Sequence, residues 1–217
     1  MPTKPSIRRA AANDARAPAA GDVRGRLLTA ARAEFFAHGF SGTDTNRIAR
    51  AAGLGPASFY RHFADKTEAF RLVYEAWIQD CWDGLAGAVS GGGNSATIAK
   101  RMAEVIVAQY RKARGLRASV HALAQRDAQF RAMYLSEGRR QIEIARARHA
   151  ARGLPAMPDE EHLAMFYFVE RIADALAFDE LPDMDCEAAR LQAALVRVLE
   201  QYLAGRPIGA IDSSTAA

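Results

Sequence analysis

The sequence has few of the residues that would tie its structure to disulfides, metals or membranes. Its 217 residues include two cysteines, Cys81 and Cys186, which lie too far apart for metal-ligand spacing. We expect both to be free thiols buried in helices, as in a reducing compartment, with redox sensing as the alternative. No apolar run approaches the ~20 residues of a membrane span, and no apolar segment of a secretion signal follows the basic N-terminus. These absences predict a cytoplasmic protein with no metal, cofactor or membrane partner.

Strand patterns and catalytic motifs are missing too. Nearly every segment between residues 22 and 204 repeats its apolar residues with helical periodicity, and no alternating run predicts a strand. The glycine-rich segment 90–95 lacks the Gly-Lys-Ser/Thr of a phosphate loop, and H-E-x-x-H, C-x-x-C and G-x-S-x-G are absent. Acidic residues 159–161 beside His162 crowd a helix start, where the helix dipole favours them. We predict an all-α protein of about nine helices that is not an enzyme, although an enzyme is one rival class.

Charge is distributed unevenly along the chain. The net charge is +4, but residues 1–66 hold eleven Lys/Arg against five Asp/Glu, and the remainder holds 18 against 20. A basic front on a slightly acidic body indicates a polyanionic partner for the front, or else a solvated basic surface. Residues 1–21 are rich in alanine and proline and predict a disordered basic arm, and residues 205–217 predict a flexible tail.

Residues 22–66 have the pattern of a three-helix helix-turn-helix domain, with the motif at about 44–63. The first helix is predicted from Asp22 to His38, with its buried face along Leu28, Ala31, Phe35 and His38. Thr43 or Asp44 then caps a second helix to Ala52, Gly53 allows a sharp turn, and a third helix runs from Pro56 through Phe63. Residues 67–204 predict a larger helical domain for effector binding and dimerisation.

Two long motifs carry a family resemblance. R-x-L-x-A-A-x-x-x-F-x-x-x-G-F-x-x-T at residues 26–43, and I-A-x-x-A-G-L-G-x-A-S-F-Y-x-H-F-x-x-K at residues 48–66, resemble the two halves of the DNA-binding domain of the TetR/AcrR family. Thr45, Gly55 and Thr67 depart from the residues that are usual there. The resemblance implies a ligand-responsive repressor that acts as a homodimer on a palindromic operator in double-stranded DNA. The alternative is a helical ligand-binding module that does not bind DNA.

In such a motif the second helix enters the major groove, here with residues 55–62. Its small start allows close approach, and the polar Ser58 and Arg61 are the candidates for base contacts. The resemblance implies phosphate contacts for Tyr60, His62 and Lys66, although Tyr60 and His62 could instead cover the core and Arg47 could be solvated. The predicted DNA-binding set is Thr43, Thr45, Arg47, Pro56, Ala57, Ser58, Tyr60, Arg61, His62 and Lys66.

The larger domain carries two further predictions. The last two long helices are apolar on more than one side, which predicts either a dimer interface or a double-sided monomer core. The interface candidates are Phe166, Tyr167, Ile172, Leu191, Leu195, Val198 and Tyr202.

The resemblance also implies a cavity for an unknown small-molecule effector, with core packing as the alternative for each candidate and His121 expected to be a buried core histidine. The pocket candidates are Trp77, Trp82, Met102, Ile106, Tyr110, His121, Phe130, Met133 and Tyr134. Arginines 139, 140, 146 and 148 predict a solvated face, with an anionic effector as the alternative.

Overall fold

A computed structural model describes residues 22–206, which form nine α-helices and one short 3-10 turn without any strand. The all-α prediction is therefore confirmed, whereas the predicted arm and most of the predicted tail lie outside the described residues. None of the described helices is long and apolar enough to cross a membrane. The helices are α1 (Val23–His38), α2 (Thr45–Ala51), α3 (Ala57–Tyr60), α4 (Lys66–Ser90), α5 (Ser95–Lys112), α6 (Arg114–Arg126), α7 (Ala128–Ala151), α8 (Asp159–Ala177) and α9 (Ala188–Leu203), with the 3-10 turn at Pro182–Met184.

Aspartates cap the helices of the N-terminal domain. The Asp22 carboxylate accepts from the backbone N–H of Gly25 at 2.8 Å, and Asp44 accepts from that of Arg47 at 2.7 Å. These bonds satisfy N–H groups that the first turn of a helix leaves without a partner. Asp44 rather than Thr43 is thus the cap of α2.

The buried face of α1 differs from the predicted one by part of a turn. Leu27 and Ala30 are buried together with Ala31 and Phe35, whereas Leu28 is half-buried and His38 is exposed. The reason is that α1 packs against α2, α4 and α6 at once, so its apolar face points between three neighbours.

One core joins the two predicted domains. The Phe70 ring on α4 lies 5.0 Å from the ring centroid of Phe35 on α1 and 5.6 Å from that of Phe130 on α7. Helix α4 begins at the boundary predicted between residues 66 and 67 and packs against both α1 and α7, so the helix-turn-helix and the larger domain share apolar packing.

A second junction forms where α6 meets the end of α1. Gly115 comes so close that a Cβ there would lie 2.6 Å from the backbone nitrogen of Gly39. Beside it the Phe40 N–H donates to the Ser119 hydroxyl at 2.8 Å. Only a residue without a side chain allows such backbone approach, so this pair sets the distance between α1 and α6.

Neither cysteine matches its predicted place fully. Cys81 is half-buried in α4, and burial raises the pKa of its thiol to about 12, which keeps it protonated and unreactive. Cys186 was predicted to be buried within a helix, but it is exposed and precedes α9. Both are free thiols, as predicted.

Candidate nucleic-acid interface and ligand pocket

The turn between α2 and α3 is held by backbone bonds and one arginine. Gly53 has φ +68°, the left-handed conformation that a side chain would disfavour, and Leu54 N–H donates to the Ala49 carbonyl at 2.9 Å. Arg26 on α1 donates to the carbonyl of Ala52 at 2.5 Å. The resulting turn fixes the angle between the two helices of the motif.

The third helix is shorter than predicted. It covers residues 57–60 and then bends, because Phe63 must reach the core and Asp65 takes the extended conformation of the α4 cap. Phe59 and Phe63 are fully buried, as the sequence indicated, with ring centroids 5.2 Å apart.

The outer surface of the motif is small and polar. Gly55, Pro56 and Ala57 are exposed at the start of α3, and the Tyr60 side chain is 61% exposed. The Tyr60 hydroxyl lies 3.1 Å from that of Thr45, so the two helices present a linked pair of hydroxyls on one face. This face can approach a DNA backbone closely.

Ser58 does not lie on that face. It is 6% exposed, and its hydroxyl accepts a hydrogen bond from the Arg61 guanidinium at 2.9 Å. Arg61 itself is exposed. Of the two predicted base readers, therefore, Arg61 is the accessible one and Ser58 orients it.

Thr43 and Arg47 stabilise the domain from within. Thr43 is buried, and its hydroxyl donates to the Glu34 carbonyl at 3.3 Å. The Arg47 guanidinium forms an ion pair with the Glu34 carboxylate and lies 2.6 Å from the His38 ring nitrogen. Thr43 was predicted at the groove edge, but its side chain is covered, and Arg47 is engaged with α1. Glu34, which fixes both, carried no recognisable signal in the sequence.

Lys66 is a clamp on the loop between α1 and α2. Its ammonium donates to the carbonyl oxygens of Phe40 and Thr43, each at 2.8 Å, and lies 4.1 Å from the centroid of the Phe40 ring. Burial lowers the pKa of this lysine, although the nearby Asp44 opposes the shift. Two of its three donors are therefore used inside the protein, which leaves it a smaller part in phosphate binding than predicted.

The start of α4 is closed by its own acids. Asp65 accepts from the N–H of Glu68 at 2.8 Å, and the Glu68 carboxylate accepts from the N–H of Ala64 at 2.6 Å. The Asp65 bond occupies one first-turn N–H of α4 that would otherwise be available to an anion, and the Glu68 carboxylate adds a negative charge there. His62, the remaining predicted phosphate contact, is half-buried beside it.

Three arginines remain exposed around the motif. Arg24, Arg50 and Arg61 lie on the surface, and no ion pair within residues 22–206 includes them. Exposed cations around a helix-turn-helix favour contact with a phosphate backbone. The fold and this surface define the class of the protein: a DNA-binding regulator with an N-terminal helix-turn-helix on a helical body.

Comparison with known proteins finds a family model that matches the N-terminal domain. Residues 27–73 match the family model described as bacterial regulatory proteins, tetR family. No curated protein matches the chain in sequence. Residues 27–73 are therefore similar to the N-terminal domain of the tetR family.

Solved structures agree over most of the chain. A putative TetR-family transcriptional regulator from Rhodococcus sp. superposes with a TM-score of 0.66 at 16% identity, covering 83% of this chain and 98% of that one. A TetR-like regulator from Rhodococcus sp. RHA1 gives 0.60 at 22% identity, with coverage of 88% and 100%. A putative TetR-family regulator from Syntrophomonas wolfei gives 0.64 at 11% identity, with coverage of 86% and 97%. At these identities the likeness concerns the fold.

The larger domain contains an apolar pocket of about 430 Å³ between α4, α5, α7, α8 and α9, here called the α7–α9 pocket. Three predicted effector contacts, Trp82, Met102 and Ile106, line it. Trp77 and Tyr110 line a smaller pocket that shares Trp82 and Ile106 with it. The remaining walls are mostly aliphatic, with Leu85, Val89, Ile144, Met165, Val169, Leu199 and Leu203 among them.

The other four predicted pocket residues lie elsewhere. Phe130 is fully buried between Phe70 and Tyr74, with ring centroids at 5.6 and 5.5 Å, and belongs to the core. His121 was expected to be buried, but it is exposed on α6 with its ring 5.9 Å from that of Tyr134. The buried face of α6 instead follows residues 116, 120 and 123, which turns position 121 outward. Met133 and Tyr134 line separate clefts beside α7.

The predicted interface residues divide into two groups. Ile172, Leu195 and Tyr202 are buried within the protomer, so the monomer-core alternative holds for them. Tyr167 is 55% exposed, whereas Phe166, Leu191 and Val198 are half-buried. The first group packs inward because α8 and α9 both pack against α5.

A buried charge cluster holds α6 to α8. Arg117 is buried, and its guanidinium donates to the Asp174 carboxylate at 2.8 and 3.1 Å and to Glu170 at 3.2 Å. Burial disfavours its charge, but Tyr110, Asp174 and Glu170 raise its pKa above the ordinary value. No sequence pattern predicted this cluster, since Arg117 is more than fifty residues away from both of its acidic partners.

Proposed function

We propose that this protein is a ligand-responsive repressor that binds a palindromic operator as a homodimer. The proposal is supported chiefly by one arrangement: an exposed helix-turn-helix surface at Tyr60 and Thr45 shares its core with a domain that contains an apolar pocket. Binding at the pocket can then shift the balance between dimer geometries and so change DNA affinity.

On the DNA, the start of α3 enters the major groove with Pro56 and Ala57 against the base edges. Arg61 reads a base edge from a position that Ser58 holds. Tyr60 and Thr45 contact phosphate through their hydroxyls, with His62 beside them. Arg24 and Arg50 add charge without sequence preference.

Two copies are needed because a single motif reads few base pairs. Half-sites one DNA turn apart require recognition helices about 34–36 Å from each other. The exposed Tyr167 with the half-buried Leu191 and Val198 supplies the proposed contact, which involves α8 and α9 of both copies.

A mobility-shift titration tests the DNA function. The probe is the DNA upstream of the protein's own coding region, measured over a range of salt concentrations, and the affinity should fall steeply with salt because several phosphates are neutralised. Arg61→Gln should weaken binding about tenfold and relax preference at one base position. Arg131→Gln removes another exposed arginine, which lies on α7 outside the motif, and should change nothing.

The titration also separates the two functions that the sequence left open. A helical ligand-binding module would show no DNA binding at low salt, with the same result for Arg61→Gln and Arg131→Gln. Analytical ultracentrifugation of the complex tests the dimer, which should bind as two protomers for each palindrome.

A further inference from the structure

One wall of the α7–α9 pocket carries a histidine whose hydrogen-bonding groups are unused. His149 is 5% exposed and lines the pocket, yet neither of its ring nitrogens has a hydrogen-bond partner among the described residues. Buried polar groups in folded proteins are nearly always hydrogen-bonded. An imidazole facing an apolar pocket without a partner therefore marks a place where a ligand can donate or accept.

Neighbouring rings hold His149 in place. Its ring centroid lies 4.7 Å from that of Tyr202 and 5.1 Å from that of His162. The Tyr202 hydroxyl and the His162 Nδ1 are 2.6 Å apart and satisfy each other. His149 is thus left as the group of this trio that lines the pocket with both nitrogens unused, already oriented by its neighbours.

The charges on the same wall have one sign. Arg148 and Arg152 line the pocket, both are exposed at its rim, and no ion pair within residues 22–206 includes either. The Arg148 guanidinium lies 5.5 Å from the centroid of the Trp82 ring, on the pocket's other side wall. No aspartate or glutamate is among the described residues that line this pocket. The rim is therefore electropositive, while the interior is aliphatic and aromatic.

We propose that the α7–α9 pocket binds an amphipathic monoanion, an apolar body carrying a single carboxylate. The body lies among Met102, Ile106, Val169 and the other apolar walls, and the carboxylate meets His149 and the guanidinium groups of Arg148 and Arg152. This proposal names the ligand class for the proposed function. Only the effect of the ligand on DNA binding rests on that function, since ligand binding itself is a property of the pocket.

Each feature selects against other ligand classes. A cation would meet two arginines without a compensating carboxylate, and a neutral alcohol would leave the guanidinium groups with water alone. A carboxylate matches a guanidinium with two parallel hydrogen bonds. A pocket of about 430 Å³ also falls within the range of small-molecule sites, which combine mostly apolar walls with a few convergent polar groups.

The test uses three probes with the same ten-carbon chain: sodium decanoate, decanol and decylamine. Each is titrated into the full chain and followed by intrinsic tryptophan fluorescence, because the chain has only two tryptophans and Trp82 lines the pocket. Decanoate should bind about tenfold more tightly than decanol, and decylamine most weakly. Equal affinity for the three probes, or tighter binding of decylamine, would overturn the proposal.

Two variants locate the head group. Arg148→Gln changes an exposed side chain, so folding is not at risk, and it should weaken decanoate several-fold while leaving decanol unchanged. His149→Phe keeps the ring contacts, removes both nitrogens and should have the same selective effect. Arg131→Gln, on the same helix but away from the pocket, is the matched control and should bind all three probes like the original chain. Equal losses for decanoate and decanol in Arg148→Gln would refute the carboxylate assignment.

A final titration separates this inference from the proposed function. Decanoate that binds and also releases the upstream DNA supports both. Decanoate that binds without changing DNA affinity supports the site and refutes the ligand response. Failure of DNA binding at low salt, with decanoate still preferred over decanol, supports the site and refutes the DNA function.

Discussion

Residues 22–66 and residues 67–206 treat their buried polar groups in different ways. In the first region Thr43 and Ser58 are buried with hydrogen bonds to neighbouring residues, and the Lys66 ammonium clamps a loop. In the second region several buried atoms have no partner within the described chain: Trp77 Nε1, Arg101 Nε, Gln109 Oε1, both nitrogens of His149 and His162 Nε2. The first region contains one such atom, Glu34 Oε2, and an ion pair with Arg47 compensates it.

The difference agrees with the two tasks that we propose for these regions, DNA recognition and ligand binding. A domain that places side chains against a fixed DNA shape benefits from internal bonds that hold those side chains rigid. A domain that must accept a ligand benefits from polar groups that remain available until the ligand arrives. The two regions contact each other at α4 and where Gly39 meets Gly115. A ligand that makes one region more rigid can therefore also restrict the other.

The largest expected effect concerns the cluster around the buried Arg117 in the second region. Arg117→Met removes a buried cation that pairs with the partly exposed carboxylates of Glu170 and Asp174, and it should cost about 3 kcal/mol of unfolding free energy. Arg47→Met breaks the Glu34 pair of the first region, which is partly exposed, and should cost about 1 kcal/mol or less. Urea unfolding measures both. Similar losses would show that burial does not distinguish the two ion pairs.

Lys66→Met tests whether the internal hydrogen bonds of the first region stabilise it. Loss of two charge-assisted bonds to the carbonyls of Phe40 and Thr43 should lower the unfolding free energy by about 2–3 kcal/mol. Lys100→Met, at an exposed position on α5, should change it by less than about 0.5 kcal/mol. If thermal unfolding shows no difference between the variants while Lys66→Met loses DNA affinity, then phosphate binding rather than clamping is the main role of Lys66.

Gly115→Ala tests the junction between the regions. A methyl group there would lie 2.6–2.8 Å from backbone atoms of Gly39, Phe35 and Phe36, so we expect a loss of about 1–3 kcal/mol from overpacking. Gly87→Ala, in α4 with no atom within 4 Å of the added methyl group, should instead stabilise by up to about 1 kcal/mol. Calorimetry should therefore give shifts of opposite sign, and a stabilising Gly115→Ala would mean that α1 and α6 separate easily.

The smallest effect is a pH dependence in the second region. Burial lowers the pKa of His149 and of His162 below the ordinary value of 6.5. The charges of His162 and Arg152 lower the pKa of His149 further. For His162, Asp159 opposes the shift in pKa and Arg146 adds to it. As the pH falls below 6.5 the unfolded chain takes up these protons first. The contribution of the two neutral histidines to the unfolding free energy is therefore fully present above pH 6.5 and is lost progressively as the pH falls below it.

The histidine contribution is isolated by comparison with a variant. His149→Phe should flatten the decrease in unfolding free energy between pH 6.5 and 5, whereas His121→Phe, at an exposed position on α6, should retain it. Identical pH profiles for the original chain and His149→Phe would contradict the assignment.

Local signals predicted the helices well. Asp22 and Asp44 cap helices that begin within a residue or two of the predicted positions, and α1 ends at the predicted His38, with Gly53 in the turn after α2 as expected. Capping and positive φ depend on a few neighbouring residues, so sequence alone carries them. The exposed Tyr60 and the buried Phe59 and Phe63 follow from helical periodicity in the same way.

The roles of Lys66, Arg47 and Ser58 depended on tertiary structure. Lys66 contacts carbonyls 23 and 26 residues away, and carbonyl positions leave no trace in side-chain identity. The buried face of a helix packed on several sides is likewise set by its neighbours, which explains the exposed His121 and the inward Tyr202.

The sequence by itself determined an all-helical chain with a helix-turn-helix near its start, because periodicity, caps and turns are local. Tertiary structure alone decided which polar groups are used inside the protein and which face a pocket. His149 and Arg148 lie on α7, more than sixty residues along the chain from Trp82 on α4. Only packing brings them into one pocket, and that packing depends on residues from many parts of the chain.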